Sequence, residues 1–85
     1  MEIAVFTSAG CDKCRQTLKH LRDANLSRKG TPVSILEYDI SSPQAVRLNV
    51  TQAPKVVLLK DGVEILRVRS PLTQEQAREL VRPEG

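Results

Sequence analysis

Cys11 and Cys14 are the only two thiols in this 85-residue chain, and Asp12 and Lys13 alone separate them. A pair at this spacing can close reversibly into a disulfide or offer two thiolates to a metal ion. In a reducing compartment thiol reductants would keep reopening a purely structural bridge, so a lone pair points to catalysis or metal binding. Two thiolates make half of a tetrahedral zinc site, and no second C-x-x-C and no paired histidines complete it; the one histidine, His20, is isolated. His20 reads as a surface helix residue. The redox reading therefore stands ahead of the metal reading, and no metal site is expected.

The chemistry depends on what precedes and follows the pair. Ile3 to Phe6 is an unbroken apolar run, read as a buried strand, and Thr7-Ser8-Ala9-Gly10 supply small residues for a tight loop. From Cys14 onward Leu18, Leu21 and Ala24 recur at helical spacing, with Arg15, Lys19, His20, Arg22 and Asp23 on the other faces. The pair thus sits where a strand gives way to a helix. Unpaired backbone N–H groups and the positive end of the helix dipole stabilise a thiolate there, so Cys11 is expected to have a lowered pKa and to attack. Cys14, one turn inside and less exposed, is expected to resolve the mixed disulfide. Lys13 favours the thiolate and Asp12 opposes it, both attenuated by solvent.

The remaining elements follow from capping and turn residues. The first helix is expected to stop between Asn25 and Gly30, before Pro32. Val33 to Ile40, rich in β-branched and apolar residues, reads as a strand covered on both faces. Ser42 and Pro43 open a short helix through Leu48, which Asn49 closes in left-handed geometry; Thr51 to Ala53 then lead to Pro54. Val56–Leu59 and Val63–Val68 flank Asp61-Gly62, the preferred pair for a two-residue hairpin. After Pro71, Thr73 and Gln76 form a capping box, Leu72 can staple onto Ala77, and Leu80 and Val81 extend the apolar face of a last helix ending before Pro83. The order β-α-β-α-β-β-α predicts an α/β fold: a four-stranded mixed sheet flanked by three helices, in one domain spanning 1–85. A right-handed crossover makes the first two strands parallel neighbours, and the hairpin joins on the other side.

Composition limits the partners. Thirteen Lys and Arg against ten Asp and Glu leave a mild net charge of +3, and Phe6 and Tyr38 are the only aromatics, so nucleic acid is not expected. No apolar stretch approaches the roughly 18 residues of a membrane span, and the N-terminus enters a strand directly without an export signal. A soluble, cytoplasmic monomer is expected.

Taken together, Val5-Phe6-Thr7, Cys11-Asp12-Lys13-Cys14, Tyr38-Asp39-Ile40-Ser41 and Gln52-Ala53-Pro54 before Val56-Val57-Leu58-Leu59 resemble the thioredoxin and glutaredoxin superfamily over nearly the whole chain. Lys60-Asp61-Gly62-Val63-Glu64 is similar to the hairpin of thioredoxins. The resemblance implies a thioredoxin-like fold and protein thiol–disulfide exchange, with no cofactor beyond the redox-active disulfide. It implies that Pro54 is cis and faces the cysteines, and that Ala53 pairs its backbone with a substrate chain. Ala53, Pro54 and Gly10 are thereby the expected substrate groove. Gly10 stands where thioredoxins have tryptophan, Asp12-Lys13 where they have Gly-Pro, and Val5 where they have a buried aspartate. The loop lysine and Gly-Gly-x-x-Asp motif with which glutaredoxins hold glutathione are also replaced, by Ser8 and by Arg69-Ser70-Pro71. The expected partners are disulfide-bearing proteins and a reductase protein such as thioredoxin reductase, with glutathione as the alternative donor. Two other functions stay open: a glutaredoxin-like hydrogen donor, for example to ribonucleotide reductase, and a non-enzymatic thiolate metal carrier or partner-docking module.

Overall fold

The computed structural model describes residues 1–27, 33–69 and 72–81. Its elements run β1 (Glu2–Thr7), α1 (Asp12–Leu26), β2 (Ser34–Asp39), α2 (Pro43–Arg47), β3 (Lys55–Lys60), β4 (Val63–Arg69) and α3 (Gln74–Val81). One mixed sheet has the order β2-β1-β3-β4, with β1 parallel to β2 and antiparallel to β3, and β3 antiparallel to β4. The fold class and strand relations are those the sequence pattern predicts.

Alternation along the two central strands builds two apolar layers. Ile3, Val5, Val56 and Leu58 face α1 and α3, where they pack with Leu18, Leu21, Ala24, Leu72, Ala77 and Val81. Ala4, Phe6, Val57 and Leu59 face the other way, onto Ala45 and Val50 beside α2. Ile3 to Phe6 are wholly shielded from solvent because β1 has strands on both sides and helices on both faces. β2 lies at the sheet edge, where the crossover argument places it, and both its faces are covered in part: Ile35 packs on the α1/α3 layer and Tyr38 on the α2 layer, each half-buried.

The capping residues act as read. Ser42 accepts from the Ala45 N–H at 3.3 Å, and Asn49 closes α2 with φ 57°. Asp61 and Gly62 both take positive φ, 53° and 80°, which a tight right-twisted hairpin requires. Thr73 and Gln76 form the reciprocal capping box at 2.9 and 3.1 Å, with Leu72 and Ala77 buried together behind it.

α1 ends inside the expected Asn25–Gly30 interval, at Leu26 with a right-handed C-cap at Ser27. The Asn25 side-chain amide, in the last turn, donates to the Val33 carbonyl at 2.9 Å and accepts from the Val33 N–H at 3.0 Å, fastening α1 to the entry of β2. His20 is half-buried rather than a free surface residue, and its Nδ1 donates to the Leu72 carbonyl at 2.9 Å. The buried Thr17 hydroxyl, one turn earlier, accepts from the Leu72 N–H at 3.4 Å. Both backbone polar groups of Leu72, two residues before α3, are thus bound by α1, the helix that carries the cysteines. The proposed helix-stop residues Gly30 and Pro32, and Ser70, Pro71 and Pro83, lie outside the described residues.

Candidate active site

β1 ends at Thr7, and Ser8-Ala9-Gly10 turn the chain into α1. The turn needs a positive φ at Gly10, 70°, which a residue without Cβ adopts at little cost. Gly10 is exposed, and a Cβ there would meet nothing within 4 Å, so the approach to the next residue is open from this side.

Cys11 is the N-cap of α1. Its backbone is extended (φ −92°, ψ 102°), its carbonyl accepts from the Arg15 N–H at 3.3 Å, and its Sγ accepts from the Cys14 N–H at 3.1 Å. A sulfur thus fills the role that Ser, Thr, Asp or Asn usually takes at a helix start. The two cysteines are joined in a disulfide, with Cα atoms 5.2 Å apart. One turn of helix separates their exposure: Cys11 is half-buried, whereas Cys14 is 2% exposed. Cys11 is therefore the more accessible of the two cysteines.

Asp12 and Lys13 both point to solvent. Asp12 lies 3.9 Å from the Arg15 guanidinium, a highly exposed contact of little energetic weight. Lys13 has no ionic partner among the described residues. No three His, Cys, Asp or Glu side chains gather into a metal-binding group among the described residues.

The sheet register assembles the rest of this end of the molecule. Lys55 pairs with Phe6, which brings Ala53 and Pro54, half-buried at the entry to β3, alongside the end of β1 where the cysteine loop departs. The Ala53–Pro54 peptide bond is cis. Thr7 pairs with Asp39 on the other side, and its carbonyl accepts from the Ile40 N–H at 2.9 Å. Asp39 then accepts from the Ser41 hydroxyl and, at 2.8 Å, from the Ser41 N–H, which hold its carboxyl below the usual range. The residues singled out in the sequence, Gly10, Cys11, Asp12, Lys13, Cys14, Ala53 and Pro54, therefore lie at one end of one sheet.

Val5, at the position where thioredoxins carry an aspartate, is wholly buried in the apolar layer beneath α1. Among the described residues the only buried polar side chains are Thr7 and Thr17, so no buried carboxylate stands ready to take the Cys14 proton. Cys11 stands at the helix start as the sequence pattern expects, whereas the bonds from Thr17 and His20 to Leu72 are features that residue types alone do not signal.

No protein-family model and no curated protein matches this sequence. Solved structures do match its fold. Thioredoxin 1 from Thermosipho africanus superposes with a TM-score of 0.72 over 95% of this chain and 90% of that chain, at 19% identity. Thioredoxin-2 of a malaria parasite, described as a component of the protein secretion machinery, gives 0.77 over 94% and 79% at 17% identity. Trxlp from Edwardsiella tarda gives 0.80 over 96% and 82% at 12% identity. The chain has the thioredoxin-like fold. With a closed C-x-x-C disulfide at the start of α1, it is built for thiol–disulfide redox chemistry in general.

Proposed function

We propose that this protein is a protein disulfide oxidoreductase in which Cys11 is the nucleophile and Cys14 the resolving thiol. One observation carries the reading: the two sulfurs differ in access across a single helical turn, and the accessible one is the helix N-cap. In the reduced protein the Cys11 thiolate attacks one sulfur of a client disulfide, forming a mixed disulfide and releasing the other client sulfur as a thiolate. Cys14 loses its proton and attacks the Cys11 sulfur, which closes the intramolecular bridge and releases the second client thiolate. The client gains two electrons and two protons overall, and the pair loses them.

Gly10, Ala53 and Pro54 flank Cys11 in this scheme, with the Ala53 backbone pairing to an extended client segment. Lys13 raises the thiolate population and Asp12 lowers it. A reductase protein returns electrons to the disulfide, and the cytoplasm is the compartment that keeps the pair cycling. No cofactor other than the disulfide takes part.

The test is reduction of a protein disulfide by the purified chain, with thioredoxin reductase or with glutathione and glutathione reductase as the electron source. Turnover with thioredoxin reductase is expected. Turnover with glutathione alone would make the chain a glutaredoxin-like donor, and no turnover together with stoichiometric metal in the reduced protein would make it a carrier.

A further inference from the structure

We infer that the outer edge of β4 is a self-association surface, through which two copies of this chain pair β4 with β4 in antiparallel register. The inference stands on the edge strand and is independent of the cysteine chemistry. Among the described residues β4 has a strand neighbour only on its β3 side, and such an edge offers unpaired backbone N–H and C=O groups. Among the described residues three of the six exposed large apolar residues, Val63, Ile65 and Leu66, lie in β4 itself. The Glu2–Leu59 and Lys60–Val63 pairings place Val63 at the end of the sheet opposite the cysteines.

A second copy is the occupant because the bulge makes this strand complementary to itself. Leu58 pairs with Leu66 but Leu59 pairs with Glu64, so Ile65 is the extra residue. In a regular strand positions 64 and 67 would face opposite sides. The bulge restores them to one side, as their own 2.8 Å ion pair shows. Val63 and Val68 likewise share the other side. Directly opposed residues of an antiparallel pair share a face, so a two-fold axis between Ile65 and Leu66 matches sides at both pairs. Val63 then meets the partner's Val68, Glu64 meets the partner's Arg67, and Ile65 meets the partner's Leu66. Both ion pairs repeat across the axis, and the two cysteine sites remain at outward ends.

Sedimentation across a micromolar-to-millimolar series tests this, with a mass that doubles as concentration rises. Glu64→Arg and Arg67→Glu should each shift the midpoint at least about tenfold upward, because each sets like charges opposite one another twice. An equimolar mixture of the two variants should recover association, since both cross-strand pairs are then of opposite charge. Arg67 also donates to the Leu48 and Asn49 carbonyls of its own chain, so circular dichroism and the melting temperature confirm that each variant is folded. A monomer throughout the series, undiminished association in both single variants, or a mixture that stays monomeric would each overturn the proposal.

Discussion

The Cys11 thiolate is the point at which the geometry makes its most direct demand. In the oxidised chain Sγ of Cys11 already accepts from the Cys14 N–H at 3.1 Å, so on reduction the negative charge forms at an N-cap whose donor is in place. A charge at a helix N-terminus is worth about 0.3–1 kcal/mol when exposed and up to about 2 kcal/mol when partly buried. For a half-buried sulfur we take about 1–2 kcal/mol, which at about 1.4 kcal/mol per decade raises the thiolate-to-thiol ratio about 5- to 30-fold over a free cysteine. Lys13→Glu removes one positive charge and adds a negative one at an exposed site. At about 8 Å in water those two units amount to about 1 kcal/mol at low salt and about 0.4 kcal/mol near physiological ionic strength. The ratio should therefore fall about sixfold at low salt and about twofold at physiological salt, while the helix contribution stays nearly constant.

The assay is the pH profile of iodoacetamide labelling of the reduced protein, resolved by peptide mass spectrometry at two salt concentrations. The midpoint is the informative quantity, because a more stable thiolate is also a weaker nucleophile and absolute rates understate the shift. Cys11 should label in a lower pH range than a free cysteine and well before Cys14, whose proton loss would place a second negative charge beside the first. Equal rates with a free-cysteine profile would refute the helix-terminus argument. A Lys13→Glu effect independent of salt would refute the charge argument.

Cys14→Ser should accumulate mixed disulfides between Cys11 and clients, detectable by mass spectrometry, whereas Cys11→Ser should not; the reverse pattern would exchange the two roles. Thr73→Ala, which removes one half of the capping box, should cost about 1 kcal/mol and lower the melting temperature by about 4–8 °C, read by circular dichroism. The Asp39 carboxyl is held down first by the Ser41 hydroxyl and then by the Ser41 N–H. Its folded pKa lies below its unfolded one, so its contribution to stability is present above about pH 4 and is lost as pH falls through the folded value. An NMR titration should show Ser41→Ala moving Asp39 back up; an unchanged midpoint would show that the hydroxyl does not matter.

Features written in consecutive residues were legible in the sequence, and features that join distant segments were not. Ser42-Pro43, Asn49, Asp61-Gly62 and the Thr73–Gln76 box each act within about four residues, so residue type carries most of the information, and the structure uses them as read. The cysteine pair was legible for the same reason. The edge position of β2 followed from element order through the crossover rule, whereas how far its side chains are covered did not, because the helices that flank it come from other parts of the chain. The partner of the Asn25 amide was not legible, because that side chain can bond locally or to a distant backbone, and it binds Val33, eight residues away. His20 and Thr17 become a clasp on Leu72 only because α3 packs on α1 more than 50 residues later in the chain. The same distinction governs the candidate site. Its reacting atoms were visible as a motif, whereas the groove beside them depends on the antiparallel β1–β3 register that brings Ala53 and Pro54 to the end of β1. A substitution that slipped this register by one residue would leave Cys11 and Cys14 on their helix and turn the side chains of β3 to the wrong layers. On the proposed function the chain would then keep its dithiol while losing the groove proposed to hold a client, so a variant of this kind should retain iodoacetamide labelling of Cys11 and lose reduction of protein disulfides.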